Sequence, residues 1–146
     1  MSAPALERPA RRYASVDDLL ADARTSIERV DPREAARRIA EEGALLVDIR
    51  PQWQREADGV VPGTLHVERN HLEWRLHPTS GASIPQAAWD QPWIVLCTEG
   101  YTSSLAAAAL VSLGLRAVDV EGGIMAWRAA GLPIADVGGS VKTVVP

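Results

Sequence analysis

Short apolar runs alternate along this chain with stretches in which apolar residues recur at every third or fourth position. These are the patterns of strands buried on both faces and of helices with one buried side. Val16, Leu19, Leu20, Ala23 and Ile27 recur at helical spacing behind Ser15, an N-cap with Asp18 following in the first turn, which predicts a helix to about Arg29. A second helix is predicted from Asp31-Pro32, a cap followed by proline at the first helical position, with Ala35, Ala36, Ile39 and Ala40 on one side and Gly43 as its stop. The run Ala44 to Asp48 reads as a strand, as do Thr64 to Val67, Trp93 to Leu96 and Ala117 to Val120. Between them lie helical patterns over Gln52 to Ala57, Arg69 to Leu76, Thr102 to Leu113 and Gly123 to Ala130, each stopped by Gly or Pro. Strand and helix alternate, so the expected fold class is α/β: an open, mostly parallel sheet with helices on both faces. Residues 1–30 read as an N-terminal arm and an extra helix, 31–135 as the domain proper, and 136–146 as a C-terminal tail.

With 146 residues there is room for one domain of ordinary size. Phe is absent and Trp occurs five times, so large aromatic contacts come from indoles whose N–H groups need partners. The net charge of −4, with basic residues dispersed, argues against nucleic acid or an anionic membrane as a partner. The longest apolar stretch, Leu105 to Val111, is far short of the ~20 residues of a membrane span. Arg8, Arg11 and Arg12 are not followed by the apolar core of a secretory signal. A single cysteine allows neither an internal disulfide nor a CxxC site, so a reducing compartment, the cytoplasm, is expected. His66, His71 and His77 lack the helical i, i+4 spacing of a zinc pair, so neither metal nor other cofactor is expected.

The candidate chemistry sits at Cys97. It ends the strand Trp93 to Leu96, and Thr98-Glu99-Gly100-Tyr101-Thr102 leads into an Ala-rich helix that includes Ser103. In open parallel sheets ligands bind at the carboxyl ends of strands, where amides of the following helix point outward. A thiol there is favoured as thiolate by the loop amides and the helix dipole, and Gly100 lets the loop curl into a nest for an anion. From position alone, a lone Cys ending an apolar strand is more often an inert small core residue.

Several spaced segments resemble the rhodanese family. Leu46-Val47-Asp48-Ile49-Arg50 looks like its first core strand and Asp-x-Arg element, and Gly59-Val60-Val61-Pro62-Gly63-Thr64 is similar to its Gly-His-Ile-Pro-Gly-Ala turn. Cys97 to Thr102 looks like the active-site loop, and Glu121-Gly122-Gly123-Ile124-Met125-Ala126-Trp127 resembles the closing Gly-Gly-x-x-x-Trp element. The resemblance spans about Asp31 to Pro133 and implies a rhodanese-like fold. Val60 departs from the family's frequent His. Thr102 stands where many single-domain members carry Arg, and resembles instead the sulfurtransferases acting on thiosulfate or mercaptopyruvate. Thr98 and Glu99 stand where thiosulfate-specific loops tend to have basic residues.

The resemblance implies a sulfurtransferase in which Cys97 accepts a sulfane sulfur as a persulfide and passes it to cyanide, a small thiol or a protein cysteine. Thr98, Glu99, Gly100, Tyr101, Thr102 and Ser103 form the substrate loop, with Thr102 and Ser103 offering hydroxyls to the sulfur. Arg69 and Arg75, following the second core strand, are candidate substrate contacts. Asp48 and Arg50 are expected as a structural pair beside the site, Trp127 as core, and Trp74 as pocket wall or packing residue. Two other readings stay open: a catalytically quiet binding module, and a Cys-based phosphatase or arsenate reductase of the same fold. The latter usually has a loop one residue longer and an Arg clamp that Thr102 and Ser103 cannot supply.

Overall fold

The computed structural model describes residues 6–137 and the backbone of Lys142–Thr143. Among the described residues the strands are β1 (Arg29–Val30), β2 (Leu45–Asp48), β3 (Leu65–His66), β4 (Pro92–Leu96), β5 (Arg116–Val120) and β6 (Lys142–Thr143). The helices are α1 (Val16–Thr25), α2 (Pro32–Glu41), α3 (Gln52–Asp58), α4 (Leu72–Leu76), α5 (Thr102–Ser112) and α6 (Gly123–Ala129), with a 3-10 turn over Arg69–His71. The strands form one sheet in the order β1-β5-β4-β2-β3-β6, with every pairing parallel. The fold is the expected α/β architecture. No described helix is long and apolar enough to cross a membrane.

Alternation along the strands divides the core. Val47, Trp93, Val95, Cys97 and Ala117 pack with Leu72 and Leu76 of α4 and Ala106, Ala107 and Leu110 of α5. Leu46, Ile94, Leu96 and Val120 pack on the other side with Ala35 of α2 and Ile124 and Trp127 of α6. Strand side chains two apart share a face, so each continuous apolar run feeds both layers. Trp127 is core as expected, and its Nε1–H donates to Pro133 O at 3.0 Å. Val60, where the family often has His, is buried and exchanges backbone hydrogen bonds with Ala135.

The boundaries differ where tertiary pairing outweighs local pattern. Ser15 caps α1 by accepting from Asp18 N–H, but the helix stops at Thr25 and not near Arg29. Arg29 and Val30 instead pair with Asp119 and Val120 as β1, a strand hidden by the helical spacing of Ile27. Asp31 caps α2 through Glu34 N–H, with Pro32 at its start. The segment over Arg69 to Leu76 divides into the 3-10 turn and α4. Residues 6–15 form no regular element. The expected arm's residues 1–5 lie outside the described ones, as do residues 138–141 and 144–146 of the tail and the side chains of 142–143.

Candidate active site

After β2 the chain moves outward to β3, whereas after β4 it moves outward to β5, so the loops following β2 and β4 diverge from adjacent strand ends. Such a switch point leaves a crevice at the carboxyl end of a parallel sheet. It is occupied here by a cavity of about 650 Å³, lined on one side by Ile49, Arg50, Pro51, Trp53, Gln54 and Asp58 and on the other by Cys97, Thr98, Glu99, Tyr101 and Thr102. Arg69 reaches it as well.

Cys97 lies at the floor, 3% exposed, and the Gly100 N–H donates to its Sγ at 3.2 Å. The loop carbonyls are held outward. Ile124 N–H donates to Cys97 O at 2.9 Å and Met125 N–H to Thr98 O at 3.2 Å. Gly100 O accepts from Arg24 Nη2 at 2.9 Å and Arg29 Nη2 at 2.8 Å. A trans peptide sets each N–H opposite the preceding C=O, and the described chain has no cis bond, so the amides of Thr98, Glu99 and Tyr101 point away from these anchors. The loop thereby gathers donors for negative charge on and around the sulfur.

Two glycines make this approach feasible. A Cβ on Gly123 (φ +57°) would lie 2.5 Å from both Cys97 O and Thr98 O. One on Gly100 (φ +88°) would meet Gly122 N at 2.8 Å and Arg29 Nη2 at 3.0 Å. The closing Gly-Gly element thus docks α6 directly on the backbone of the cysteine loop, a role beyond the helix-to-sheet packing expected for Trp127.

The walls are braced by polar networks on opposite faces of the sheet. Asp48 is buried and takes Arg50 Nε at 3.0 Å and Nη2 at 2.7 Å, and Arg50 Nη2 also donates to Gly59 O. Arg55 lies 3.8 Å from Asp48 and donates from Nη1 to His66 Nδ1, whose ring in turn donates from Nε2 to Arg50 O. Burial lowers the Arg55 pKa from its ordinary value, opposed by the Asp48 carboxylate. On the other face Asp119 accepts from Ser103 Oγ and Ser104 Oγ, each at 2.8 Å, and from Arg29.

The expected site residues therefore separate. Thr98, Glu99, Tyr101, Thr102 and Arg69 meet Cys97 around the cavity, and Gly100 serves it through its backbone. Thr98 Oγ1 donates to Gln54 Oε1 at 2.9 Å, joining the two lips. Glu99 is exposed at the rim. Ser103 is buried with its hydroxyl on Asp119 instead of on the sulfur. Arg75 donates to Ala82 O in the connection after α4, away from the cavity lining. Trp74 is exposed beside Glu73 and His77, also outside that lining. Asp48 and Arg50 form the expected buried pair.

Trp53, Gln54, Pro51, Ile49 and Asp58 were missed from sequence. Their signal was available, since the segment after β2 is the second lip of any switch-point site next to β4. Arg24 and Arg29 gave no such signal, because helical spacing assigned both to the extra helix outside the domain proper.

The Rhodanese-like domain model matches residues 31–130. The thiosulfate sulfurtransferase GlpE of Pseudomonas savastanoi pv. phaseolicola is 34% identical over 106 residues, covering 72% of this chain and 91% of its own. A sulfurtransferase of Allochromatium vinosum is 34% identical over 110 residues, with 74% and 94% covered. Among solved structures, a Rhodopseudomonas palustris protein of unknown function, described as a possible tyrosine phosphatase, superposes with a TM-score of 0.76 at 31% identity, covering 88% of this chain and 99% of that one. The matched span begins at the cap of α2, runs through both lips of the cavity and ends just past α6, and on that extent the chain belongs to the rhodanese-like domain family.

Proposed function

We propose that this protein is a sulfurtransferase that moves a sulfane sulfur from a small donor to a thiophilic acceptor through a persulfide on Cys97. In the first half-reaction the Cys97 thiolate attacks the outer sulfur of the donor. The donor's own bond to that sulfur breaks, its electron pair leaves with the departing group, and Cys97 carries the sulfur as Cys–S–S⁻. In the second, cyanide, a small thiol or a protein cysteine attacks the outer sulfur and the thiolate leaves with its electron pair. No external oxidant or reductant enters either step. The observation that carries the proposal is the Gly100 N–H on Sγ at the floor of an open cavity, in a loop whose carbonyls are tied outward. The names of the GlpE and Allochromatium relatives support the same chemistry.

The donor follows from the rim. Glu99 places a carboxylate at the mouth, which costs a dianion such as thiosulfate on the order of 1 kcal/mol. A persulfide or a mercaptopyruvate-like donor is therefore favoured over thiosulfate, even though the GlpE relatives are named for thiosulfate. Glu99→Lys is expected to raise the thiosulfate rate more than loading from a donor of lower negative charge. Equal rates with thiosulfate before and after the change would remove this preference.

The test of the carrier chemistry is intact-protein mass spectrometry after exposure to thiosulfate, mercaptopyruvate or a small persulfide. One added sulfur on the wild type, and none on Cys97→Ser, is the expected result. No gain with any donor would leave the quiet binding module as the better account. The likeness to the Rhodopseudomonas protein, a possible tyrosine phosphatase, gives one reason to include an aryl phosphate in the same experiment. Its hydrolysis is not expected, because the loop supplies no guanidinium of its own between Cys97 and Ser103.

A further inference from the structure

We propose that Arg24 and Arg29, which precede the family-matched span, are positioning residues for Cys97: together they hold the Gly100–Tyr101 peptide in the one orientation that favours a thiolate. The inference rests on the reading of Cys97 as a thiolate nucleophile.

Gly100 O has two lone pairs, and each meets a guanidinium, Arg24 at 2.9 Å and Arg29 at 2.8 Å. Both are charge-assisted bonds, the stronger kind. The guanidiniums are themselves anchored. Arg24 Nε donates to Ser104 Oγ at 3.0 Å, and Arg29 takes both oxygens of buried Asp119 at 3.0 and 3.1 Å. Ser103 and Ser104 complete the Asp119 shell from the first turn of α5. The brace thus connects α1, β1, β5 and α5 to one carbonyl of the cysteine loop.

That carbonyl matters because it follows a glycine. Gly100 carries a φ of +88° and no side chain, so the peptide after it can tilt through ψ of Gly100 at low steric cost, while the φ of −93° at Tyr101 resists only a complete flip. A tilt would swing the Tyr101 N–H away from the side it now faces and lose a donor there. Two cations on the outer side oppose the tilt. The elements that flank the loop elsewhere do not duplicate this function: α6 holds the carbonyls of Cys97 and Thr98, and Ser104 Oγ of α5 reaches Gly100 O only at 3.4 Å, with Asp119 closer to it at 2.8 Å. Packing alone does not account for α1 either, because none of its side chains is fully buried. What α1 delivers to the site is Arg24.

The test uses the full chain, whose single cysteine makes every thiol signal that of Cys97. Alkylation by iodoacetamide is followed at neutral pH and at a pH alkaline enough to ionise any thiol, with thermal melting measured in parallel. Arg24→Gln is expected to slow the neutral reaction about three- to tenfold, the scale of one ordinary hydrogen bond, and to leave the alkaline rate unchanged. Arg24→Lys, which keeps a cation but not the fork, is expected to recover part of the loss. Arg29→Lys, which preserves a charge beside Asp119, is expected to act in the same direction.

A neutral rate unchanged in both Arg24→Gln and Arg29→Lys would overturn the inference. So would a loss equal at both pH values, or a lowered melting temperature without any change in the neutral-to-alkaline ratio, each of which marks a structural strut. A wild-type ratio no greater than that of a free cysteine would overturn the thiolate reading and this inference together. A raised wild-type ratio that the variants share would overturn this inference alone.

Discussion

Two buried carboxylates flank β4, one on each face of the sheet, and they do different work. Asp48 registers with Leu96 and shares its face with α2 and α6, whereas Asp119 registers with Val95 and shares the face of α1 and α5. Each is almost fully buried and each takes a bidentate arginine. Asp48 is enclosed by Arg50 and Arg55, both buried, so the ions themselves are sealed from water, and the network runs on to backbone carbonyls, His66 and the side chain of Gln52. Asp119 instead holds a partly hydrated Arg29, 19% exposed, and two serine hydroxyls, and through Arg29 its network ends on the loop that carries Cys97. A sealed ion network fixes a wall, while one that opens toward the loop can set the chemistry. Stability and reactivity should therefore separate between the two.

The largest effect on stability is expected from Asp48→Asn. It leaves Arg50 and Arg55 as buried cations without a counter-charge, which costs about 3–5 kcal/mol. Urea unfolding measures it directly. Where the variant still folds, its alkylation rate at neutral pH should stay close to wild type, because none of the atoms it loses touches the loop. Next comes Gly123→Ala. Its Cβ would overlap two loop carbonyl oxygens at a positive φ, with strain of about 1–3 kcal/mol and a comparable cost from the overlap. This change should lower stability and sulfur loading together, because α6 must retreat from Cys97 O and Thr98 O.

Asp119→Asn is the counterpart that sharpens the comparison. An amide oxygen still accepts from the serines, and Arg29 retains access to water, so the stability loss should be about 1–3 kcal/mol, smaller than at Asp48. Its effect on Cys97 should be the larger of the two, with persulfide formation slowed about tenfold as Arg29 loses its anchor. Equal stability losses, or a slower reaction in Asp48→Asn than in Asp119→Asn, would show that the two networks are not divided in this way.

The same division governs what could be read from sequence. The Asp48 side was legible because its residues are local: Asp48 and Arg50 are two apart, and the Asp-x-Arg element shows a pair at a strand end. The strand order around Cys97 was legible as well, since apolar runs alternating with helical spacing leave little choice beyond parallel crossovers. The Asp119 side was not. Arg29 and Asp119 are 90 positions apart, and Arg24 lies 76 before Gly100, so nothing in either neighbourhood advertises the contact. Helical periodicity misassigned Arg29 because a two-residue edge strand is too short to carry a period of its own. Ser103 was assigned to the sulfur for the opposite reason. Adjacency to the loop suggested a substrate contact, but the first turn of α5 rotates its hydroxyl toward Asp119.

A third carboxylate, Glu34 on α2, gives the smallest effect and the control for the other two. It accepts from Arg37 and Arg38, bonds that lower its pKa from 4.5 to about 2. Hydrogen bonds from Arg38 also lower the pKa of Glu28. A carboxylate whose affinity for protons is reduced by folding stabilises the folded state above its unfolded value, and that contribution is lost as pH falls through its folded value. The Glu34 contribution is therefore present above about pH 4.5 and disappears by about pH 2. Because Glu34 and Arg38 are only half-buried and Arg37 is exposed, the contribution is small and screened by salt. Glu34→Gln should flatten the fall of the urea midpoint over that range, with added salt producing part of the same flattening in the wild type. Sulfur loading at neutral pH should not change, since α2 makes no contact with the cysteine loop through this residue. An acid slope indifferent to both the substitution and salt would show that Glu34 and its arginines do not contribute to it.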